Sequence, residues 1–277
     1  MLGTGFPAGR VLLVEQPGPW GRAGLSESNF DHETALALER RAGREGIRVL
    51  AIRRPGRHER TRQRAWALLD CRPEREASRW GVFGDDAELL ELPLDGTAGT
   101  ASSELTYLVC AHSKHDTCCA LRGRPVAAAL AEERPGQVWE CSHVGGERFA
   151  ANVLVAPMGL LYGRVLPFAA REFIEACENG EVVGALLRGR IGLPSVAQAA
   201  LAYAFEHLAV RQSNALVVER TGDLVDGQAV VCLRAPQGRV NVTVRVERID
   251  ADGLTCSNPQ PNSYLSYRPV SVALVDD

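Results

Sequence analysis

CAHSKHDTCC, residues 110–119, places three thiols and two imidazoles within ten positions. Shortly after it, WECSHVGGERF adds Cys141, His143, the Gly145-Gly146 pair and Glu147. Thiolates and imidazoles delivered from loops or strand ends are the donors a soft or borderline metal centre requires. Cys141 and His143 are two residues apart, so a persisting strand would project both from one face. Ser113, Lys114, Asp116 and Thr117 are polar residues able to turn the chain and to hydrogen-bond around such a centre. Gly145 and Gly146 would let backbone approach a bound group closely and present amide donors to it. Taken singly, each piece has an ordinary explanation, a buried thiol or a tight turn. Taken together, they describe one metal-binding pair of segments.

Other reactive residues suggest less. Of the eight cysteines, Cys71, Cys141, Cys177, Cys232 and Cys256 stand singly, and no C-x-x-C occurs, so thioredoxin-type dithiol exchange lacks its motif. The adjacent Cys118 and Cys119 suggest an alternative, a nucleophile with its resolving thiol. His112 and His115 are expected to be solvated, and the arginines of the two RGR triplets, Arg122, Arg124, Arg188 and Arg190, to form salt bridges within the fold. Glu15, Glu27 and Asp31 lack any spacing that would favour a two-carboxylate glycosidase.

The elements that must position these residues follow from periodicity. RVLLVEQP (10–17), HETALALERRAGREG (32–46) and IRVLAIRRP (47–55) read as strand, helix and strand, with further strand signals in RAWALLDC (64–71), SRWGVF and AELLELP. After the small, polar DGTAGTASSE (95–104) come strand LTYLVC, the Cys/His loop, helix RPVAAALAEE (124–133), and strands QVWECSH, ANVLVAPMG and LYGRV. Helices 168–180 and 192–210 follow, then NALVVER, QAVVCLR, RVNVTVRVERI and SVALVDD, which suggest a small antiparallel sheet. The expected architecture is α/β: two tandem thioredoxin-like domains, 1–98 without ligands and 99–210 carrying the site, with a β-rich C-terminal extension over 211–277. A net charge of −3 and a charged fraction of 23% argue against a nucleic-acid partner. No apolar run approaches the length of a membrane span, and a cytoplasmic protein without a membrane partner is expected. Of 31 basic residues only Lys114 is a lysine, which makes arginine counts uninformative.

CAHSKHDTCCALRGRP followed by WECSHVGGERFAANVLVAPMGLLYGRV resembles the sucrase/ferredoxin-like family, and LLVEQPGPWG, IRVLAIRRPGR and LLRGR extend the resemblance over most of residues 10–210. The resemblance implies a thioredoxin-like domain with a [2Fe-2S] cluster, bound by two cysteines eight residues apart and an H-x-G-G-H pair. Carried over, these are Cys110, Cys119 and His143, with Glu147 where the second histidine would stand. A carboxylate suits iron–sulfur iron poorly, so Cys141 is the expected fourth ligand, with Cys110, Cys119 and His143, and Glu147 is the alternative as ligand or as partner to the His143 ring. The expectation is therefore an electron-transfer or redox-responsive protein with an unknown redox partner such as a reductase, and not a sucrase. Two alternatives stand beside it: structural zinc in an interaction protein, and a thiol oxidoreductase using Cys118 and Cys119.

Overall fold

Apolar residues along RVLLVE and RAWALLD are buried almost without interruption, as strands covered on both faces require. In the computed structural model, which describes residues 1–56, 63–252, 254, 260 and 262–275, these segments form β1 (Arg10–Glu15) and β3 (Arg64–Asp70) of a ten-stranded mixed sheet. Cys256, expected to stand singly, lies outside the described residues.

Between β1 and the parallel β2 (Ile47–Arg53) runs helix α1 (His32–Arg44). Asp31 caps it by accepting from the Thr34 amide at 2.8 Å, and Ala35, Leu38 and Ala42 recur at helical spacing on its buried face. Burial of Leu38 alone contributes about 2 kcal/mol. β3 and β4 (Ala77–Phe83) continue antiparallel, and a short edge strand β5 (Thr100–Ser102) closes this side. AELLELP is not a strand: Asp85 and Glu88 form a reciprocal capping box, and Asp86–Leu90 winds into a 3-10 turn.

The same order recurs in the second half. β6 (Thr106–Cys110), α2 (Thr117–Glu133) and parallel β7 (Val138–Cys141) are followed by antiparallel β8 (Val153–Ala156) and β9 (Leu160–Tyr162). The halves read β2-β1-β3-β4 and β7-β6-β8-β9, and β2 pairs antiparallel with β7 through Ile52–Cys141 and Arg53–Glu140. β10 (Leu187–Arg190) forms the far edge, after helix α3 (Ala170–Glu178).

The sheet curls. Across a flat sheet β7 and β4 would lie four strand spacings apart, about 19 Å, yet Trp139 and Trp80 stack with ring centroids 5.7 Å apart. The concave face holds Leu13, Ile52, Leu69, Leu108, Leu154 and Leu161 from both halves. On the convex side α1 covers the first half, while α2, α3 and α4 (Ser195–His207) cover the second. Against α4 packs a separate four-stranded antiparallel sheet, β11 (Val217–Thr221), β12 (Gln228–Ala235), β13 (Gly238–Ala251) and β14 (Asn262–Val275). Its inward residues alternate strictly, Ala229, Val231 and Leu233 on β12 and Val240, Val242 and Val244 on β13. Among the described residues, no helix is long and apolar enough to cross a membrane.

Candidate metal centre

Three element ends meet at the middle of the curled sheet. β6 delivers Cys110 at its last residue, and α2 delivers Cys119 in its first turn. The helix begins at Thr117, seven residues earlier than the sequence suggests, because Asp116 caps it by accepting from the Cys118 amide at 2.8 Å. The two cysteines therefore ride on a helix and not on a loop. Successive helical residues point about 100° apart, so Cys119 is fully buried whereas Cys118 is half-buried. Cys118 is disulfide-bonded, and with Cys119 sealed from solvent the adjacent pair does not form an accessible nucleophile and resolving thiol.

β7 stops at Cys141, which breaks the assumption that Cys141 and His143 share a strand face. His143 instead sits in the turn that follows, held by its main chain. Its carbonyl accepts from Arg48 Nη2 at 2.7 Å, and its amide donates to His112 Nδ1 at 3.2 Å. Since His112 Nδ1 accepts, Nε2 carries the proton and donates to the Gly21 carbonyl at 2.6 Å. His112, expected in solvent, is only 2% exposed and fixes His143, and its pKa is lowered chiefly by burial. Sequence alone offered no signal for this role beyond its place in the cluster.

Ligand atoms of Cys110, Cys119 and His143 converge to within 4.8 Å of one another. Cys141 is buried in register with Cys110 on the neighbouring strand but is not part of that convergent group. A second group, His115, His143 and Glu147, lies on the outer side. The His115 and His143 rings stack at 3.7 Å, and Glu147 Oε1 lies 3.1 Å from His143 Nε2 and 3.5 Å from His115 Nε2.

The electrostatics match this division. A hydrogen bond from Cys119 draws the Cys110 pKa well below that of an ordinary thiol, against burial and with help from His143. Cys119 is correspondingly raised by that bond and by burial, and burial raises Cys141. Burial acts to lower the His143 pKa, but Cys110 and Glu147 outweigh it and lift the imidazole to about 9. The His143 hydrogen bond brings Glu147 down to about 2. His143 Nδ1 is buried with no hydrogen-bond partner. An orphaned imidazole nitrogen beside two convergent sulfurs fits a soft or borderline ion, and Glu147 is the carboxylate that orients the opposite ring nitrogen.

Gly145 and Gly146 both take left-handed backbone, with φ 82° and 75°. A methyl group on Gly146 would lie 2.3 Å from Arg188 Nη2, so this glycine serves close packing. Arg188 is entirely buried without a carboxylate partner among the described residues, unlike Arg190, which contacts Glu76 at 3.3 Å. The three N-terminal carboxylates have structural work: Asp31 caps α1, Glu15 accepts from the Ala65 amide, and Glu27 from the Ala23 amide.

A curled sheet of paired β-α-β units with a Cys/Cys/His group at the strand ends defines an α/β protein with a candidate metal centre. Residues 4–189 match the sucrase/ferredoxin-like family, and the chain belongs to it. Proteins named "Altered inheritance of mitochondria protein 32" are 31% identical over 100 residues in Saccharomyces kudriavzevii and 30% identical over 100 residues in Saccharomyces cerevisiae strain YJM789. These matches cover 31% of this chain and 32% of each relative, so the chain spans about a third of the length of the curated relatives it matches. No solved structure matches.

The relatives correct one expectation. Their name states a phenotype of mitochondrial inheritance, and neither it nor the family description states an iron–sulfur cluster or electron transfer. The site points the same way: the expected fourth soft donor, Cys141, is outside the convergent group, and position 147 is a carboxylate. The iron–sulfur electron carrier is therefore set aside, and what stands is that Cys/His groups in this chain could hold a metal.

Proposed function

We propose that this chain is a metal-binding protein in which a single zinc ion, held by Cys110, Cys119 and His143, pins together the ends of β6, α2 and β7. The observation that carries this reading is the convergence of the two sulfurs and the imidazole within 4.8 Å, with His143 Nδ1 left unpartnered. Zinc accepts this mixed thiolate and imidazole set without redox change and supplies cross-linking energy where the two halves of the sheet join, its fourth tetrahedral position being left to water or to a donor from a partner protein. His112 and Arg48 hold the His143 main chain, and Glu147 orients its ring. The role is architectural, a centre that sets the surface around the Cys/His turns for a partner protein in the cytoplasm. The relatives' name suggests a process linked to the inheritance of mitochondria. The repeated strand order supports reading the halves, over 1–98 and 99–210, as thioredoxin-like units with 211–277 as an extension.

Metal analysis of the purified chain tests the proposal. One zinc per chain is expected, lost in Cys110→Ser, Cys119→Ser and His143→Ala, with chelation lowering Tm. Protein carrying iron and sulfide in place of zinc, or zinc uptake unaffected by those three variants, would overturn it.

A further inference from the structure

Three arginines surround one phenyl ring. The guanidinium carbons of Arg148, Arg188 and Arg164 lie 4.7, 5.3 and 5.9 Å from the centre of the Phe149 ring. None of the three makes an ion pair with a carboxylate among the described residues, whereas Arg53, Arg64 and Arg134 each do. Arg188 is wholly buried, and its donors go to neutral acceptors: Thr4 Oγ1 at 3.0 Å, the Gly145 carbonyl and Asn152 Oδ1 at 2.9 Å, and the Thr4 carbonyl at 2.6 Å. A buried cation without an ion-pair partner is costly, and three clustered cations repel one another; the opposite charges that act on Arg188 are those of Cys110 and Glu147. The same field reaches the Met1 ammonium, whose pKa is lowered by burial and then by Arg148, Arg164 and Arg188.

Two of these arginines, Arg148 and Arg188, line a cavity of about 280 Å³ together with Thr4, Phe149 and Asn262, while Arg164 stands outside its lining. Arg148 is stacked against Tyr264 at 4.0 Å as well as Phe149. Stacking occupies the faces of a guanidinium and leaves its in-plane N–H groups to fork onto an oxyanion. Arg164 is placed by its own main chain, which donates to the Phe149 carbonyl at 2.7 Å. Glu147 also lines the cavity, but it faces His143 and His115, and one carboxylate does not balance the two guanidiniums of the lining with Arg164 close by.

We propose that this cavity is a binding site for a phosphate-type oxyanion, gripped by Arg148 and seated in the field of the buried Arg188. A dianion answers the unbalanced charge, and the fork geometry of arginine matches its oxygens. The site adjoins the Cys/His centre and does not depend on its metal.

Titration calorimetry of the full chain with inorganic phosphate, at ionic strength held constant with sodium chloride, tests this. Saturable binding of one phosphate per chain is expected, with Arg148→Gln weakening it by about tenfold or more, the loss of a charge-assisted contact, and Arg164→Gln, outside the cavity lining, weakening it less. Both substitutions are on residues at least partly open to solvent, so unchanged circular dichroism and Tm are expected to accompany the loss. A parallel titration with glycerol 3-phosphate separates the two sources of this chemistry. Tighter binding than inorganic phosphate assigns the site to a phosphate ester, and equal or weaker binding assigns it to the free ion. Phosphate heats no greater than those of chloride, or variants that bind phosphate like the parent chain, would overturn the assignment.

Discussion

Gly123 on α2 packs so closely on the end of β6 that a methyl group at its α-carbon would lie 2.1 Å from the Cys110 carbonyl oxygen. The helix can bring Cys119 to Cys110 only because this position has no side chain. Gly123→Ala must push the helix away from the strand, and overpacking of this kind costs about 1–3 kcal/mol. The greater helix propensity of alanine, about 1 kcal/mol, offsets only part of it. Urea unfolding should show the net loss, and zinc content should fall with it. A variant as stable and as metal-loaded as the parent would show that the close approach is not needed.

Glu147 engages His143 Nε2 at 3.1 Å, on the opposite edge of the ring from the orphaned Nδ1. A carboxylate in this position fixes the tautomer of a ligating imidazole and raises its basicity, and loss of such a partner costs about 10–100-fold in metal affinity. Glu147→Gln keeps the shape but removes the charge. Its zinc affinity, measured by competition with a chromophoric chelator, should drop within that range while stoichiometry stays at one. Complete loss of zinc would instead make Glu147 a direct ligand.

Part of this architecture is legible in the chain because its central strands, such as β1, β6 and β8, are near-continuous apolar runs and α1 shows helical spacing. The cap that Asp31 places on α1 shows only in the structure, whereas the helical spacing of HETALALERRAGREG and the alternation of Val240, Val242 and Val244 announce their elements directly. The start of α2 does not: Pro125 suggests a helix opening beside it, whereas the decisive signal is Asp116, a cap hidden among metal-ligand candidates. That displacement changed the setting of Cys119. Cys110 and Cys119 met as their types implied, but Cys141 depended on two residues of extra strand that β7 does not have. The curl of the sheet, and the roles of His112 and Arg188, rest on contacts across long separations that no local pattern encodes.

Cys141 offers the sharpest separation between ligand and core thiol. It is fully buried on the concave face, in register with Cys110 but outside the convergent group. Cys141→Ala should keep one zinc per chain and lose about 1–2 kcal/mol through lost packing alone. Cys110→Ala removes a donor and should lose the metal. If Cys141→Ala also emptied the site, the sulfur would have to turn toward the ion on binding.

Acid should release the metal cooperatively. Zinc takes its cysteines as thiolates and its histidine as a neutral imidazole, so protons compete for the same three atoms. Binding is complete where all three ligands are readily deprotonated, and it falls as pH falls because each released ion is replaced by protons. With two thiols and one imidazole contributing, the apparent affinity should decline more steeply than a single protonation allows. Zinc retention followed from pH 8 downward with a fluorescent indicator measures that slope, and Cys110→Ser should flatten it. A slope of one proton in the parent chain would mean that only one of the three atoms holds the ion.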